Sequence, residues 1–258
     1  MSSILYSKQE AIAIIKLNRT DKYNSFNREM ALLMQDALTD AANDKSIRCI
    51  YITGEGKAFC AGQDLAEAID PNGPGLENIV TLHYNPIIQK IREVEKPVVC
   101  AVNGVAAGAG ANIALACDVI IAGASASFIQ AFSKIGLVPD SGGTFFLPRM
   151  IGFQRASALM MLGDKVTATD ALQMGMLYKV CDDATLQQEA MQIAITLSQM
   201  PTKGIGLTKR LLNESLSNTL EKQLALEGDL QVEAANSHDY KEGVNAFLEK
   251  RKAVFKGE

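Results

Sequence analysis

Apolar and polar positions change period several times along the chain, and each change marks an element. Glu10-Ala-Ile-Ala-Ile-Ile-Lys-Leu17 is almost continuously apolar, which predicts a buried strand ending at the polar stretch Asn18–Asn24. From Asn27 to Ala42 the apolar residues Met30, Leu33, Met34, Ala37 and Leu38 recur at helical spacing. Ile47–Thr53 returns to a strand pattern and stops at Gly54-Glu-Gly56. The cluster Asp70-Pro-Asn-Gly-Pro-Gly75 reads as loop. A helix is expected from about Leu76 to Val94, where Lys96-Pro97 ends it. Val98–Val102 and Cys117–Ala122 are buried strands, with a short small-residue helix, Ala109–Ala116, between them.

Strands and helices thus alternate as far as Val180-Cys-Asp-Asp183, the pattern of a mixed α/β core. Beyond it the strand signals stop. Amphipathic helices are expected over 184–199, about 202–217, 219–237 and 240–254. The division reads as a core over 1–199 and a helical region over 200–258. A helical tail too thin to form its own globule must pack on something. Partner copies are the natural candidate, since most soluble oligomers are symmetric homo-oligomers.

Composition narrows the function. A chain of 258 residues forms one large domain or a core with a smaller appendage. Its net charge of −4 argues against a general nucleic-acid binder, which needs a basic surface. The five cysteines show no CxxC spacing, so neither a disulfide frame nor a zinc site is expected. The N-terminus lacks a signal-peptide pattern, and no apolar run approaches the ~18 residues of a membrane span. A cytoplasmic protein without membrane partners is the expectation.

Two stretches carry the chemistry: Lys57-Ala-Phe-Cys-Ala-Gly-Gln-Asp-Leu65 and Asn103-Gly-Val-Ala-Ala-Gly-Ala-Gly-Ala-Asn112. Each follows a β-rich segment and puts small residues where backbone must approach a ligand. Together they can aim two N–H groups at one oxygen, an oxyanion hole. Close helix packing is the plainer reading of Gly104–Gly110. A dinucleotide fingerprint fails, because Ile113 stands where Gly or Ala is needed. Asp140, after Pro139, reads from spacing alone as a helix N-cap, though Gly143 supplies no capping-box partner. Apolar neighbours such as Phe132, Leu137 and Phe145 could instead raise its pKa. His83 and His238 belong to no recognised motif.

The chain resembles the crotonase superfamily, the enoyl-CoA hydratases and isomerases, over essentially its whole length. The matching stretches are the two above, Cys117-Asp-Val-Ile-Ile121, Lys134-Ile-Gly-Leu-Val-Pro-Asp-Ser-Gly-Gly-Thr144 and Phe247-Leu-Glu-Lys-Arg-Lys252. The resemblance implies a spiral of strand–strand–helix turns and a C-terminal helical region that builds trimers or dimers of trimers. It implies an acyl-CoA substrate whose thioester oxygen sits between the amides of Ala61 and Ala109. Binding contacts are implied at Lys22, Tyr23, Gly62, Gln63, Asp64, Leu65 and Gly108, and at Phe247 and Lys250 on the last helix. No metal or resident cofactor is implied, since coenzyme A arrives with the substrate.

Hydratases of this family use two glutamates, whose places here fall at Asn112 and Phe132. Neither exchanges a proton at neutral pH. The Asp140 segment is similar instead to the family's single-aspartate isomerases, and this reverses the cap reading. Those enzymes convert an epoxyphenylacetyl-CoA to an oxepin or shift a 3-enoyl-CoA double bond to position 2. The alternatives are a hydratase, lyase or hydrolase with water held by Asn112, and a non-catalytic binder.

Overall fold

The computed structural model describes residues 2–258. Strands β1 (Ile4–Gln9) and β2 (Ile12–Leu17) form an antiparallel hairpin, followed by helix α1 (Arg28–Asn43). The Asn27 side chain caps α1 by accepting the Met30 N–H at 3.0 Å. The spiral then runs through three turns. The first is β3 (Cys49–Gly54), β4 (Ala58–Cys60) and helices α2 (Leu65–Ala68), α3 (Gly75–Asn78) and α4 (Asn85–Glu93). The second is β5 (Val98–Val102), β6 (Val105–Ala107) and α5 (Ala109–Leu115). The third is β7 (Val119–Gly123), β8 (Ser127–Ile129), α6 (Gly143–Ile151) and α7 (Phe153–Leu162). β9 (Lys165–Thr167), α8 (Ala168–Met174) and β10 (Lys179–Cys181) close the core.

Each turn gives its first strand to one sheet and its second to another. The large sheet has the order β1-β2-β3-β5-β7-β10 and is parallel from β2 onward. The small sheet has the order β4-β6-β8-β9, with only β9 antiparallel. The small sheet's three-residue strands line up the segments that follow them, and those segments build the site.

Both faces of the large sheet are covered, which explains its near-continuous apolar strands. Ala13, Ile15 and Leu17 face a core shared with α1, α4 and α5. Ile12 and Ile14 face the other way, onto Leu186, Ala190 and Ala194 of α9 (Leu186–Ser198). The first C-terminal helix is therefore part of the core. α10 (Thr202–Ser215) is also anchored at home. Its almost fully buried Lys209 meets Asp118 at 2.8 Å and the Ile91 carbonyl at 2.6 Å, and Arg92 holds the same Asp118 at 2.8 Å. α11 (Leu220–Ala235) and α12 (His238–Leu248) carry exposed apolar side chains, among them Leu220, Leu224, Val232, Phe247 and Leu248.

Two expectations need correction. The helix expected over Leu76–Val94 is interrupted by a π-helical turn, Ile79–Tyr84, that brings His83 and Tyr84 inward. The last helix stops at Leu248, and Lys250 adopts a left-handed φ of 56°. Among the described residues, no helix is long and apolar enough to cross a membrane.

Candidate active site

The first wall of the site is stitched together by buried polar groups. Tyr23 and Asn24 take left-handed φ values of 50° and 57°. The fully buried Asn24 amide pays for this by donating to the Glu55 and Ala58 carbonyls at 2.9 and 2.8 Å and accepting the Arg19 N–H at 2.8 Å. The loop thereby lies along the segment after β4. Ala61 N–H donates to the Tyr23 carbonyl at 3.0 Å, Phe26 N–H to the Gly62 carbonyl at 2.7 Å, and Asp64 N–H to the Phe26 carbonyl at 2.8 Å. Asp64 also caps α2 through the Ala66 N–H at 3.1 Å and pairs with Arg19 at 2.9 Å. The Arg19 hydrogen bond holds the Asp64 carboxyl below its usual range. Asp64 is thus a fastener of the turn.

This geometry corrects the first oxyanion donor. The Ala61 N–H is committed to Tyr23 and cannot also hold a thioester oxygen. In the bridge between Phe26 and Gln63, the Gly62 carbonyl and the Asp64 N–H point to Phe26. The Gln63 N–H points the other way, and it has no acceptor among the described residues. Gln63 is the free donor of this turn.

The second donor stands beside it. Gly62, at φ 93°, packs so closely on the next layer that an added Cβ would lie 2.9 Å from the Ala107 carbonyl oxygen and 3.8 Å from the Ala109 nitrogen. Gly108, at φ 53° and ψ −128°, makes the corner from β6 into α5 while its N–H donates to the Ile129 carbonyl at 2.8 Å. Ala109 is the first residue of α5, so its N–H has no helical acceptor. Gly110 lets α5 lie directly on Cys60, which an added Cβ would strike at 2.6 Å. The close-packing reading of this glycine run therefore holds. Burial pushes the Cys60 thiol up to about 12, leaving it no nucleophile.

A second wall is the turn that carries Asp140, tied to α5 through Asn112. Ser141 and Gly142 both take left-handed φ, 51° and 72°, and α6 begins at Gly143 without a side-chain cap. The carboxylate is therefore not an N-cap. Burial raises its pKa, and the Ser141 hydroxyl, donating at 2.8 Å, partly opposes that rise. Tyr84 links this wall to the first. Its hydroxyl donates to Gln63 Oε1 at 2.9 Å, and its pKa is raised first by burial and then by nearby acidic groups, Asp140 and Glu67 among them.

Of the expected apolar neighbours, Phe132 is buried with its ring against Gly108. Leu137 and Phe145 are exposed, and Arg149 stacks over the Phe145 ring at 3.8 Å. Phe146 and Ile88 are the side chains that close on Gly142. Asn112 is fully buried, donating to the Asp140 carbonyl and accepting from Gln130, both at 2.8 Å. Both ends of its amide are thereby engaged inside the protein.

The structure brings Tyr23, Ala61, Gly62, Gln63, Asp64, Gly108 and Ala109 together. Lys22 lies in the 3-10 turn Thr20–Lys22 beside Tyr23, and Lys22, Tyr23 and Leu65 are exposed along the rim. Phe247 and Lys250 belong instead to the C-terminal arm, where Phe247 lines an apolar groove with Tyr240, Val244 and Phe255. Sequence reasoning missed Arg19, Tyr84 and Gln130, and read Gln63 only as a contact. The alternation of N–H directions along an extended segment was the available signal for Gln63. Among the described residues, no three His, Cys, Asp or Glu side chains gather as a metal site.

Comparison with known proteins agrees with this fold. The family model for enoyl-CoA hydratase/isomerase matches residues 7–258. The chain is 47% identical to the 1,2-epoxyphenylacetyl-CoA isomerase of Escherichia coli K12, covering 100% of this chain and 99% of that protein. It is 33% identical to the crotonyl-CoA hydratase of Syntrophomonas wolfei, covering 98% and 97%. The crystal structure of an enoyl-CoA hydratase from Bacillus anthracis superposes with a TM-score of 0.95 at 31% identity, covering 99% of this chain and all of that one. With the spiral fold and the full-length match in agreement, the chain belongs to the enoyl-CoA hydratase/isomerase family.

Proposed function

We propose that the protein is an acyl-CoA isomerase in which Asp140 carries the proton and the Gln63 and Ala109 N–H groups hold the thioester oxygen. The Asp140 carboxylate takes a proton from carbon 2. The electron pair moves onto the thioester oxygen, giving an enolate conjugated with the existing double bond. Protonated Asp140 then delivers the proton to carbon 4, and a 3-enoyl-CoA becomes a 2-enoyl-CoA. Each preorganised amide contributes about 3 kcal/mol when charge reaches the oxygen. A carboxylate with a raised pKa suits abstraction from carbon. The chemistry asks for no resident cofactor, and coenzyme A enters as part of the substrate.

One observation carries the reading. Asp140 is a desolvated, uncapped carboxylate at the cleft, while the two places where hydratases keep glutamates hold the engaged amide of Asn112 and the buried ring of Phe132. The relative from Escherichia coli supports 1,2-epoxyphenylacetyl-CoA as a second substrate, converted to its oxepin. Lys22 and Tyr23 are proposed to meet coenzyme A from the rim. Phe247 and Lys250 are proposed to reach it from a neighbouring copy of a trimer or dimer of trimers, assembled through the apolar faces of α11 and α12.

Absorbance assays of the purified protein with 3-enoyl-CoA, 1,2-epoxyphenylacetyl-CoA and 2-enoyl-CoA test this. Isomerisation of the first two without hydration of the third is expected. Hydration of 2-enoyl-CoA as the dominant activity would reject the isomerase reading.

A further inference from the structure

Helix α5 carries more than the Ala109 amide. Three residues on, Asn112 Nδ2 donates to the main-chain carbonyl of Asp140 at 2.8 Å, and that carbonyl also accepts the Gly143 N–H at 2.9 Å. On its other side, Asn112 Oδ1 accepts from Gln130 Nε2 at 2.8 Å. The orientation of both amides follows from one fact. A carbonyl only accepts, so Asn112 must turn its NH₂ to Asp140 and its oxygen to Gln130, which must answer with its own NH₂. Gln130 Oε1 is then left buried without a partner, a cost accepted to keep the chain of bonds in register.

Packing tightens the same grip. Gly143 lies so close to Asn112 that an added Cβ would fall on the amide, 2.7 Å from its Cγ. The clamped carbonyl belongs to the residue just before the two left-handed positions, Ser141 and Gly142. Such a turn persists only where its surroundings over-determine it.

We propose that Asn112, braced by Gln130, is a positioning residue that aims Asp140 at the substrate. One rigid helix thereby sets the oxyanion amide at its first residue and holds the base's backbone from its fourth. This rests on the reading of Asp140 as the proton carrier. The titratable side chain near the carboxylate on the facing π-helical turn is Tyr84, and the Ser141 hydroxyl is its direct hydrogen-bond partner.

Four variants test the proposal, with kcat, KM, the pH dependence of kcat, and circular dichroism as readouts. Asn112→Leu is expected to lower kcat on the order of 100-fold, the effect of a base misplaced by an ångström, with KM near wild type. Its acid limb is expected to move to lower pH, because a loosened turn lets water reach the carboxylate and favours its charged form. Gln130→Met is expected to shift both in the same directions by less. Asn112→Thr, which keeps a donor, is expected to recover part of kcat. An unchanged kcat and acid limb in Asn112→Leu would overturn the clamp. If that variant does not fold, an unchanged acid limb in Gln130→Met does so. Asp140→Asn separates the two readings. If it turns over normally, the proton-carrier reading falls and the clamp with it. If it is inactive while Asn112→Leu behaves as wild type, only the clamp falls.

Discussion

The Ala61 N–H donates to the Tyr23 carbonyl at 3.0 Å, and this bond is why the proposed oxyanion role falls two residues along, at Gln63. Ala61 instead fixes the rim that carries Tyr23. The Gln63 side chain, held by Tyr84 at 2.9 Å and donating to Glu67 at 3.1 Å, keeps its own backbone still. A donor that does not reorganise when charge appears is the kind that accelerates a reaction.

Ala109→Pro deletes the partner donor while keeping the helix start. Proline is tolerated at the first position of a helix, and the residue before it is Gly108. A fall in kcat/KM of about 100- to 1000-fold is expected with the far-ultraviolet spectrum unchanged. Wild-type kcat/KM in a folded variant would remove the Ala109 amide from the mechanism.

The acid limb of kcat/KM reports ionisation of the free base. Burial raises the Asp140 pKa, so activity is expected to fall away above the usual carboxylate range as the pH drops. The Ser141 hydroxyl stabilises the charged form, so its removal must favour the proton. Ser141→Ala is therefore expected to move the acid limb to still higher pH. A shift to lower pH would mean that another group governs the limb.

Lys209 ties the C-terminal region to the core through Asp118, Ile91 and Lys96. Burial lowers its pKa, and Asp118 opposes that fall. Lys209→Ala leaves a partly buried carboxylate short of one partner, at an expected cost of about 3 kcal/mol in urea unfolding. A loss below about 1 kcal/mol, the range of surface pairs, would make the cluster incidental.

Leu220, Leu224 and Val232 repeat at multiples of four along α11, and all are more than half exposed. At position 228 a glycine leaves open space in the same row. Such a row is an unburied helix face, suited to a second copy. The double variant Leu224→Glu, Val232→Glu is expected to sediment as a smaller species than wild type. An unchanged sedimentation coefficient would exclude α11 from the interface.

The long elements were legible in the sequence because their periods were long enough to read. The helical spacing that begins near Asn27 and β5 at Val98–Val102 are examples. β4, β6, β8 and β9 were not, since three residues define no period, and yet they align the two amide-bearing turns. β1 escaped because its sequence mixes polar residues into an edge strand. The π-turn at 79–84 escaped because apolar spacing does not distinguish it from α-helix at that length. At the site, small residues and Asp140 were visible. The commitment of the Ala61 N–H was not, because it depends on where the Tyr23 carbonyl lands.

Proton removal from carbon 2 by Asp140 can be followed with 3-enoyl-CoA deuterated at that carbon. The wild-type protein should strip the label, sending it to solvent or to carbon 4 as the double bond moves. Asp140→Asn should keep the label in place and form no 2-enoyl-CoA while binding the thioester with near-native affinity. Label loss from carbon 2 at the wild-type rate in that variant would show that another group carries the proton.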